Sequence, residues 1–351
     1  MKEAAGVLFR TEAGPEIGFG HLRRSLSLAS AFQEKGVRCC FLTSGPRKNL
    51  DWIRSFGFSA ESVPARFVWT EREAEKTLER CRRWRASTVI VDSPRAGEGY
   101  CRVLHRGKGL VVCRDDVGKK RVSAHVLLNG NANAEQLYAQ PMNGTLFLLG
   151  IDYAVLPKQF WNPPPAVVRR KVREILLLLG GSGSGSLLAR LLRCVSGLPG
   201  DFSVTVVSGP FCWERDKLRQ SIGKAAKEVR WVRSPASLFE LMRRADLAVS
   251  GAGQTLYELA AVGCPAVAVQ VGSDQVDQLR ALSEQGCVIS VGKVEDPKLF
   301  PKLGKALSAL MEDDSLRSKM SRAGQRWVDG KGASRVAGKI LSHPLFAGGR
   351  S

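Results

Sequence analysis

The chain has 351 residues, 44% of them hydrophobic, and a formal net charge of +20 at pH 7. That length allows two domains of ordinary size with a substantial buried core. No apolar run reaches the roughly 18–20 residues a bilayer helix needs, and the nine cysteines form neither a CxxC pair nor a zinc-type cluster, so a helical membrane protein and a zinc module are both excluded. The first residues, MKEAAGVLFRTEAG, lack the apolar core of a signal peptide, and a cytoplasmic location with free thiols is expected. The positive surplus is spread over both halves, which favours anionic partners. Its densest cluster, RCRRWR at 80–85, is not accompanied by an arginine-rich arm or an RNP-type aromatic pattern. It reads as a solvated basic helix face rather than a nucleic-acid site.

Residues 6–10, GVLFR, read as a strand. Gly14, Pro15, Gly18 and Gly20 then forbid regular structure until about His21, after which Leu22, Leu26, Ala29 and Phe32 recur at helical spacing. Gly36 ends that helix and the chain returns as a strand over 37–43. This is a βαβ unit with a glycine-rich connection at the carboxyl end of its first strand, where open α/β sheets place ligands. His21 sits where that helix begins, beyond Gly18 and Gly20, which let a ligand approach closely. A neutral imidazole there can take a proton from water or a hydroxyl; the alternative is a packing or capping histidine.

Further strands are expected at 59–63, 88–92, 110–113 and 126–128, with helices near 48–55, 71–84 and 97–107. Asp92 ends the strand VIVD, where an acid can face a cleft or cap the next segment. Arg114-Asp115-Asp116 also follows a strand; without further ligands nearby it reads as a polar turn, not a metal site. Residues 140–172, with Pro163-Pro164-Pro165 and Arg169-Arg170-Lys171, read as an extended connector.

The second half restarts the alternation. EILLLL runs into GGSGSGS at 180–186 and then a helix, so Gly181 and Ser182 become a candidate phosphate loop, although no P-loop lysine follows. Strands follow in DFSVTVVSGP and VRWVRS, then a helix at 236–246. The stretch 245–278 carries the strongest signal: a strand, the turn Gly251-Ala252-Gly253, a helix whose first turn holds Gln254, Thr255 and Glu258, a second strand, and a loop with Asp274 and Gln275. A strand that turns through glycines into a helix aims free N–H groups at one spot and suits a phosphate. Glu258, one turn in, would repel a phosphate but could accept ribose hydroxyls. The alternative is a packed turn with a surface acid. Helices over 297–312, 314–328 and 333–341 are amphipathic and carry no evident chemistry.

Together these segments resemble one family. FRTEAGPEIGFGHLRRSLSLA, with its GxGHxxR element, LLGIDYAVLPKQF, ILLLLGGSG, and the block ADLAVSGAGQTLYELAAVGCPAVAV followed by Asp274-Gln275 look like the pseudaminic-acid-pathway hydrolases that release UDP from UDP-2,4-diacetamido-2,4,6-trideoxy-β-L-altrose, and like their spore-coat polysaccharide relatives. The resemblance implies an α/β fold of GT-B architecture, MurG-like, with two Rossmann-like domains facing each other across a cleft. The expected divisions are an N-terminal domain over 1–150, a linker over 151–172 and a UDP-binding domain over 173–345. It implies a cytoplasmic enzyme that hydrolyses a UDP-linked sugar in nonulosonic acid or surface polysaccharide biosynthesis, without metal or cofactor and without a nucleic-acid partner. His21 would activate water. Gly253, Gln254 and Thr255 would touch the pyrophosphate, Glu258 would hold the uridine ribose and the strand end near Val232 would face the uracil; Gly18, Gly20, Arg24, Asp92, Gly181, Ser182, Asp274 and Gln275 are further expected substrate-binding residues. The chain departs from the family pattern where Ser93-Pro94 follows Asp92 in place of a tyrosine, and at Asp274 in place of asparagine. A MurG-like glycosyltransferase touching an anionic membrane face is the alternative.

Overall fold

The computed structural model describes residues 6–64, 68–118, 123–138, 144–181 and 183–348. The chain divides into two compact units, residues 1–158 with 331–351, and residues 159–330.

The first unit is built on a sheet of seven strands: β1 (Gly6–Glu12), β2 (Cys39–Ser44), β3 (Ser59–Ser62), β4 (Ala86–Asp92), β5 (Leu110–Arg114), β6 (Val126–Asn129) and β7 (Leu146–Leu149). All of its pairings are parallel, in the order β3-β2-β1-β4-β5-β6-β7. Strands β1, β5 and β6 are buried along their whole length, as expected when helices cover both faces of a parallel sheet. The order reverses between β1 and β4. From β1 the chain steps outward to β2 and β3, then crosses back to β4 and continues the other way. Such a reversal leaves a crevice at the carboxyl ends of the two central strands.

The second unit repeats the plan with six strands: β8 (Glu174–Leu178), β9 (Ser203–Ser208), β10 (Val229–Arg233), β11 (Leu247–Gly251), β12 (Ala266–Gln270) and β13 (Val288–Lys293). They too are parallel, ordered β10-β9-β8-β11-β12-β13, with the reversal between β8 and β11. Ile175, Leu177, Val204, Val206, Val249 and Val267 form one side of its core against the helix Gly185–Ser196.

Three expectations need correction. The boundary falls at Lys158 and Gln159, not across a linker at 151–172, and the terminal helix Gly332–Leu341 belongs to the first unit rather than to a domain over 173–345. The physical reason is close packing. Gly332 lies so near Ala154 that a Cβ there would come within 2.1 Å of its carbonyl oxygen. The stretch read as connector also holds β7, which pairs with β6 from Val126↔Leu146 to Asn129↔Leu149.

A buried ion pair braces the first unit. Arg10, in the middle of β1, is 0% exposed and donates through Nε to Glu73 Oε1 at 2.6 Å. Glu73 also accepts from the Trp69 backbone N–H at 2.6 Å and the Tyr100 hydroxyl at 3.3 Å, and the Arg10 guanidinium lies 3.9 Å from the Trp69 ring centre. All nine cysteines are free thiols. Among the described residues, no helix is long and apolar enough to cross a membrane.

Candidate active site

In the first unit the reversal of strand order brings the end of β4 beside the loop that follows β1. That loop is pinched by a two-way backbone bridge between Gly14 and Gly18, and Gly18 adopts φ +78°, a left-handed conformation that glycine takes without strain. It delivers the chain into the helix Gly20–Gln33, which has no side-chain cap and no acid in its first turn. His21, Arg24 and Ser25 sit at i, i+3 and i+4, so they share one face of this helix. That face meets Asp92 at the tip of β4.

The contacts are specific. His21 Nδ1 lies 2.8 Å from Asp92 Oδ1. Arg24 donates through Nε to Asp92 Oδ2 at 2.7 Å and through Nη2 to Oδ1, and Ser25 donates to Oδ2 at 3.3 Å. On its other side Arg24 Nη1 meets Asp116 at 2.6 Å, and Asp116 also receives Arg114 Nε at 3.3 Å. Four charged groups and one imidazole thus form a continuous chain at the carboxyl ends of β4 and β5.

The charges hold one another ionised. Burial opposes ionisation of Asp92, but Arg24 and His21 outweigh it, and the carboxyl lies well below the usual carboxylate range. Burial likewise opposes the charge on Arg24, and Asp116 and Asp92 overcome it, raising its pKa. Asp116 is held low against its burial by Arg24 and Arg114. Arg114 is lowered by burial and by the like charge of Arg24.

This geometry selects a tautomer. Arg24 Nη2 is also 2.8 Å from His21 Nδ1, and a donor there would need the nitrogen's lone pair. Asp92 can only accept, and a bond from Nδ1–H to a carboxylate is charge-assisted. Of the two neutral tautomers, the one that lets Asp92 accept carries its proton on Nδ1 and its lone pair on Nε2. His21 is 16% exposed at its side chain.

In the second unit the glycine turn after β11 stands beside the glycine loop after β8, at that sheet's own reversal. A Cβ on Gly251 would lie 3.4 Å from the Leu179 carbonyl, whereas one on Gly253 would meet nothing within 4 Å. Gly180 has φ +85°. Gly181 accepts from the Phe211 backbone N–H at 3.0 Å and is packed by Gly209. Gln254 occupies the N-cap position of the helix Thr255–Val262, without a side-chain cap bond. Thr255 is nearly buried and Glu258 is 2% exposed.

The other expected residues fare differently. Ser182 lies outside the described residues, as does the side chain of Asp274. Gln275 is turned back on its own loop, where Oε1 accepts from the backbone N–H groups of Val271 at 2.9 Å and Gly272 at 3.2 Å. Val232 lies in β10, the edge strand, separated from β11 by β9 and β8. Gln278, which sequence reasoning passed over, receives a hydrogen bond from the Tyr257 hydroxyl at 3.2 Å and donates to the Ala252 carbonyl, so it ties the glycine turn to the next helix. Asp116, read from sequence as part of a polar turn, is instead the outer partner of Arg24. The available signal for it was positional: it follows β5, which pairs directly with β4.

No family model matches the chain. It is similar to the uncharacterized protein MJ1062 of Methanocaldococcus jannaschii, 23% identical over 268 residues, covering 73% of this chain and 54% of the relative. The chain thus spans about half the length of that archaeal protein. It is also 25% identical over 232 residues to the spore coat polysaccharide biosynthesis protein SpsG of Bacillus subtilis, covering 65% of this chain and 67% of SpsG. Among solved structures it resembles MurG of Acinetobacter baumannii, with a TM-score of 0.71 at 14% identity over 96% of this chain and all of MurG. S. aureus MnaA in complex with UDP matches with a TM-score of 0.66 at 12% identity, covering 96% of each chain. The fold is therefore GT-B, MurG-like, with two parallel Rossmann-like sheets, and SpsG is a distant sequence relative.

Proposed function

We propose that the protein hydrolyses a UDP-linked sugar of the acetamido, deoxy class, releasing UDP and the free sugar for nonulosonic acid or surface polysaccharide biosynthesis. The observation that carries this reading is the 2.8 Å contact from His21 Nδ1 to Asp92, which leaves Nε2 free to act as a base. The distant relationship to SpsG supports a place in surface polysaccharide biosynthesis, and the UDP bound by the structurally similar MnaA supports the nucleotide.

In this mechanism Nε2 of His21 removes a proton from water as the water oxygen bonds to the anomeric carbon. The bond from that carbon to the diphosphate oxygen breaks, and UDP leaves with the electron pair. The imidazolium that forms is stabilised by Asp92, which Arg24 and Ser25 keep oriented. In the second unit, the N–H groups of the turn at Gly253, Gln254 and Thr255 take the diphosphate charge at a helix start, with Gly181 beside them. Glu258, one turn into that helix, accepts the ribose hydroxyls.

The test is a panel of UDP-amino sugars incubated without any acceptor. Rapid UDP release, with free sugar of a single anomeric configuration, is the expected result. Turnover only when a sugar or lipid hydroxyl is supplied would favour the second reading, a MurG-like glycosyltransferase at an anionic membrane face. Ser93 in place of the family's tyrosine favours that alternative: its hydroxyl is bound to Glu12 and leaves the acceptor side without a phenol there.

A further inference from the structure

The sheet of the first unit has a second concave region, at the edge opposite the His21–Asp92 contact. It lies where β1, β2, β3 and β4 begin and encloses about 730 Å³. That volume is within the range of small-molecule sites. Arg38, Arg83 and Arg85 line it together with Trp84, and there is no carboxylate among its described lining residues. Gly36 and Gly57 leave it open, since a Cβ on either would meet nothing within 4 Å.

Two of the arginines are fixed in place by the sheet itself. The carbonyl of Arg85 accepts from Gly6 N–H at 3.1 Å, and the carbonyl of Arg38 accepts from Val7 N–H at 2.9 Å. They therefore flank the start of β1 from either side. Arg83, at the end of the helix Glu71–Arg83, lies with its guanidinium 5.5 Å from the centre of the Trp84 ring. Glu61 holds Arg83 and Arg80 together, one carboxylate against two guanidinium groups, so positive charge remains in excess. The floor adds no negative charge, because burial pushes the Cys39 thiol up to about 12.

Arg85 is also conformationally out of place. It sits just past the helix end with φ +52°, closing the turn through its N–H to the Arg82 carbonyl at 3.1 Å. Glycine or asparagine normally takes this left-handed position, because a Cβ is strained there. A residue that lines a cavity from such a strained position is the kind of outlier from which a ligand role is inferred.

We propose that this cavity is a second binding site, for a small phosphate- or carboxylate-bearing anion with one planar ring. Arg38 and Arg85 would pair with the anion and Trp84 would take the ring face. The concave shape suits a small molecule rather than a membrane surface. The inference does not depend on the reading of the opposite edge.

The test is calorimetric titration of the full chain with phenyl phosphate and with methyl phosphate. The expected results are saturable binding of phenyl phosphate and about fivefold weaker binding of methyl phosphate, in line with one lost ring contact. Arg85→Gly should weaken phenyl phosphate about tenfold, as loss of one charge-assisted pair does, while the melting temperature stays level or rises because glycine suits the backbone. Arg38→Ala, at an exposed side chain, should weaken binding similarly. Wild-type affinity in either variant, equal affinity for the two phosphates, or no saturable binding would overturn the proposal.

Discussion

His21 and Asp92, 71 residues apart in the chain, meet at 2.8 Å where the sheet of the first unit reverses its strand order. If Asp92 acts by fixing the tautomer of His21, the two residues work as one group. His21→Ala should lower turnover by roughly two to four orders of magnitude while UDP still binds. Asp92→Asn should cost a comparable factor, and the double variant should be no slower than His21→Ala alone, since residues acting as a unit are not additive. Steady-state kinetics on the active UDP-sugar checks this, with thermal melts to confirm that each variant is folded. Multiplicative losses would separate the two roles.

Much of this site was legible before the fold was known, and the limits have a physical cause. Glycines at 14, 18 and 20 announced a loop, the leucine spacing announced a helix, and an acid ending an apolar run announced Asp92 at a strand tip. None of these local signals states which strand tips are neighbours. That information lies in strand order, which is set by the packing of the whole sheet. The ion pair from Arg24 to Asp116 was hidden for the same reason, because it needs β5 beside β4. The helix Gly332–Leu341 looked like the end of the second domain because an amphipathic pattern gives an apolar face without naming its partner. Strand β7 escaped notice because four residues beside a Pro-, Asn- and Gly-bearing stretch are too few for alternation to show.

Arg24 holds two carboxylates at once, Asp92 on one side and Asp116 on the other. Arg24→Met should therefore destabilise the protein by about 3–5 kcal/mol, the range for stranding a buried charge. Arg24→Lys should recover only part of this, because an ammonium is a single point charge and cannot reproduce the planar fork. Urea unfolding of the three proteins measures the order. A loss below about 1 kcal/mol in Arg24→Met would place this network in the class of solvated surface pairs.

The pair Arg10–Glu73 makes a similar demand without any part in the chemistry. Arg10 is wholly buried, and removing Glu73 leaves its charge beneath the sheet. Glu73→Ala should cost about 3–5 kcal/mol. Replacing both residues, as Arg10→Met with Glu73→Leu, should cost much less than Glu73→Ala, because no uncompensated charge remains. The comparison is made by denaturant midpoint.

Three histidines meet elsewhere in the first unit. His105 and His125 stack with ring centres 4.1 Å apart, and His343 lies 6.4 Å from His125. His125 Nδ1 accepts the Val111 N–H at 3.0 Å, which requires that nitrogen to be unprotonated. Burial, then the neighbouring charges of His105 and His343, lowers its pKa from 6.5 to about 4. The folded state thus binds this proton less readily than the unfolded chain. The resulting stability is present above about pH 6.5 and is lost as pH falls toward 4. In His125→Asn, whose side-chain oxygen can still accept from Val111, the decline in urea midpoint between pH 7 and pH 4.5 should be shallower than in the wild type. Parallel declines would show that His125 is not the titrating group.

Glu258 offers the sharpest check on the nucleotide. Its carboxylate is almost fully buried one turn into the helix that follows the Gly251–Gly253 turn, so an alanine would confound binding with a cavity. Glu258→Gln keeps the volume and removes the charge. A hydrogen bond to a charged acceptor contributes about 1.5–3 kcal/mol, so UDP affinity should fall roughly 10- to 100-fold. Wild-type protein should lose a similar factor when UDP is replaced by 2′-deoxy-UDP. The decisive comparison is the two changes together. If the carboxylate receives the 2′-hydroxyl, the glutamine variant should scarcely distinguish UDP from 2′-deoxy-UDP, because the partner it would have lost is already gone. Discrimination undiminished in the variant would move the ribose away from Glu258 and leave that residue a structural role in the turn.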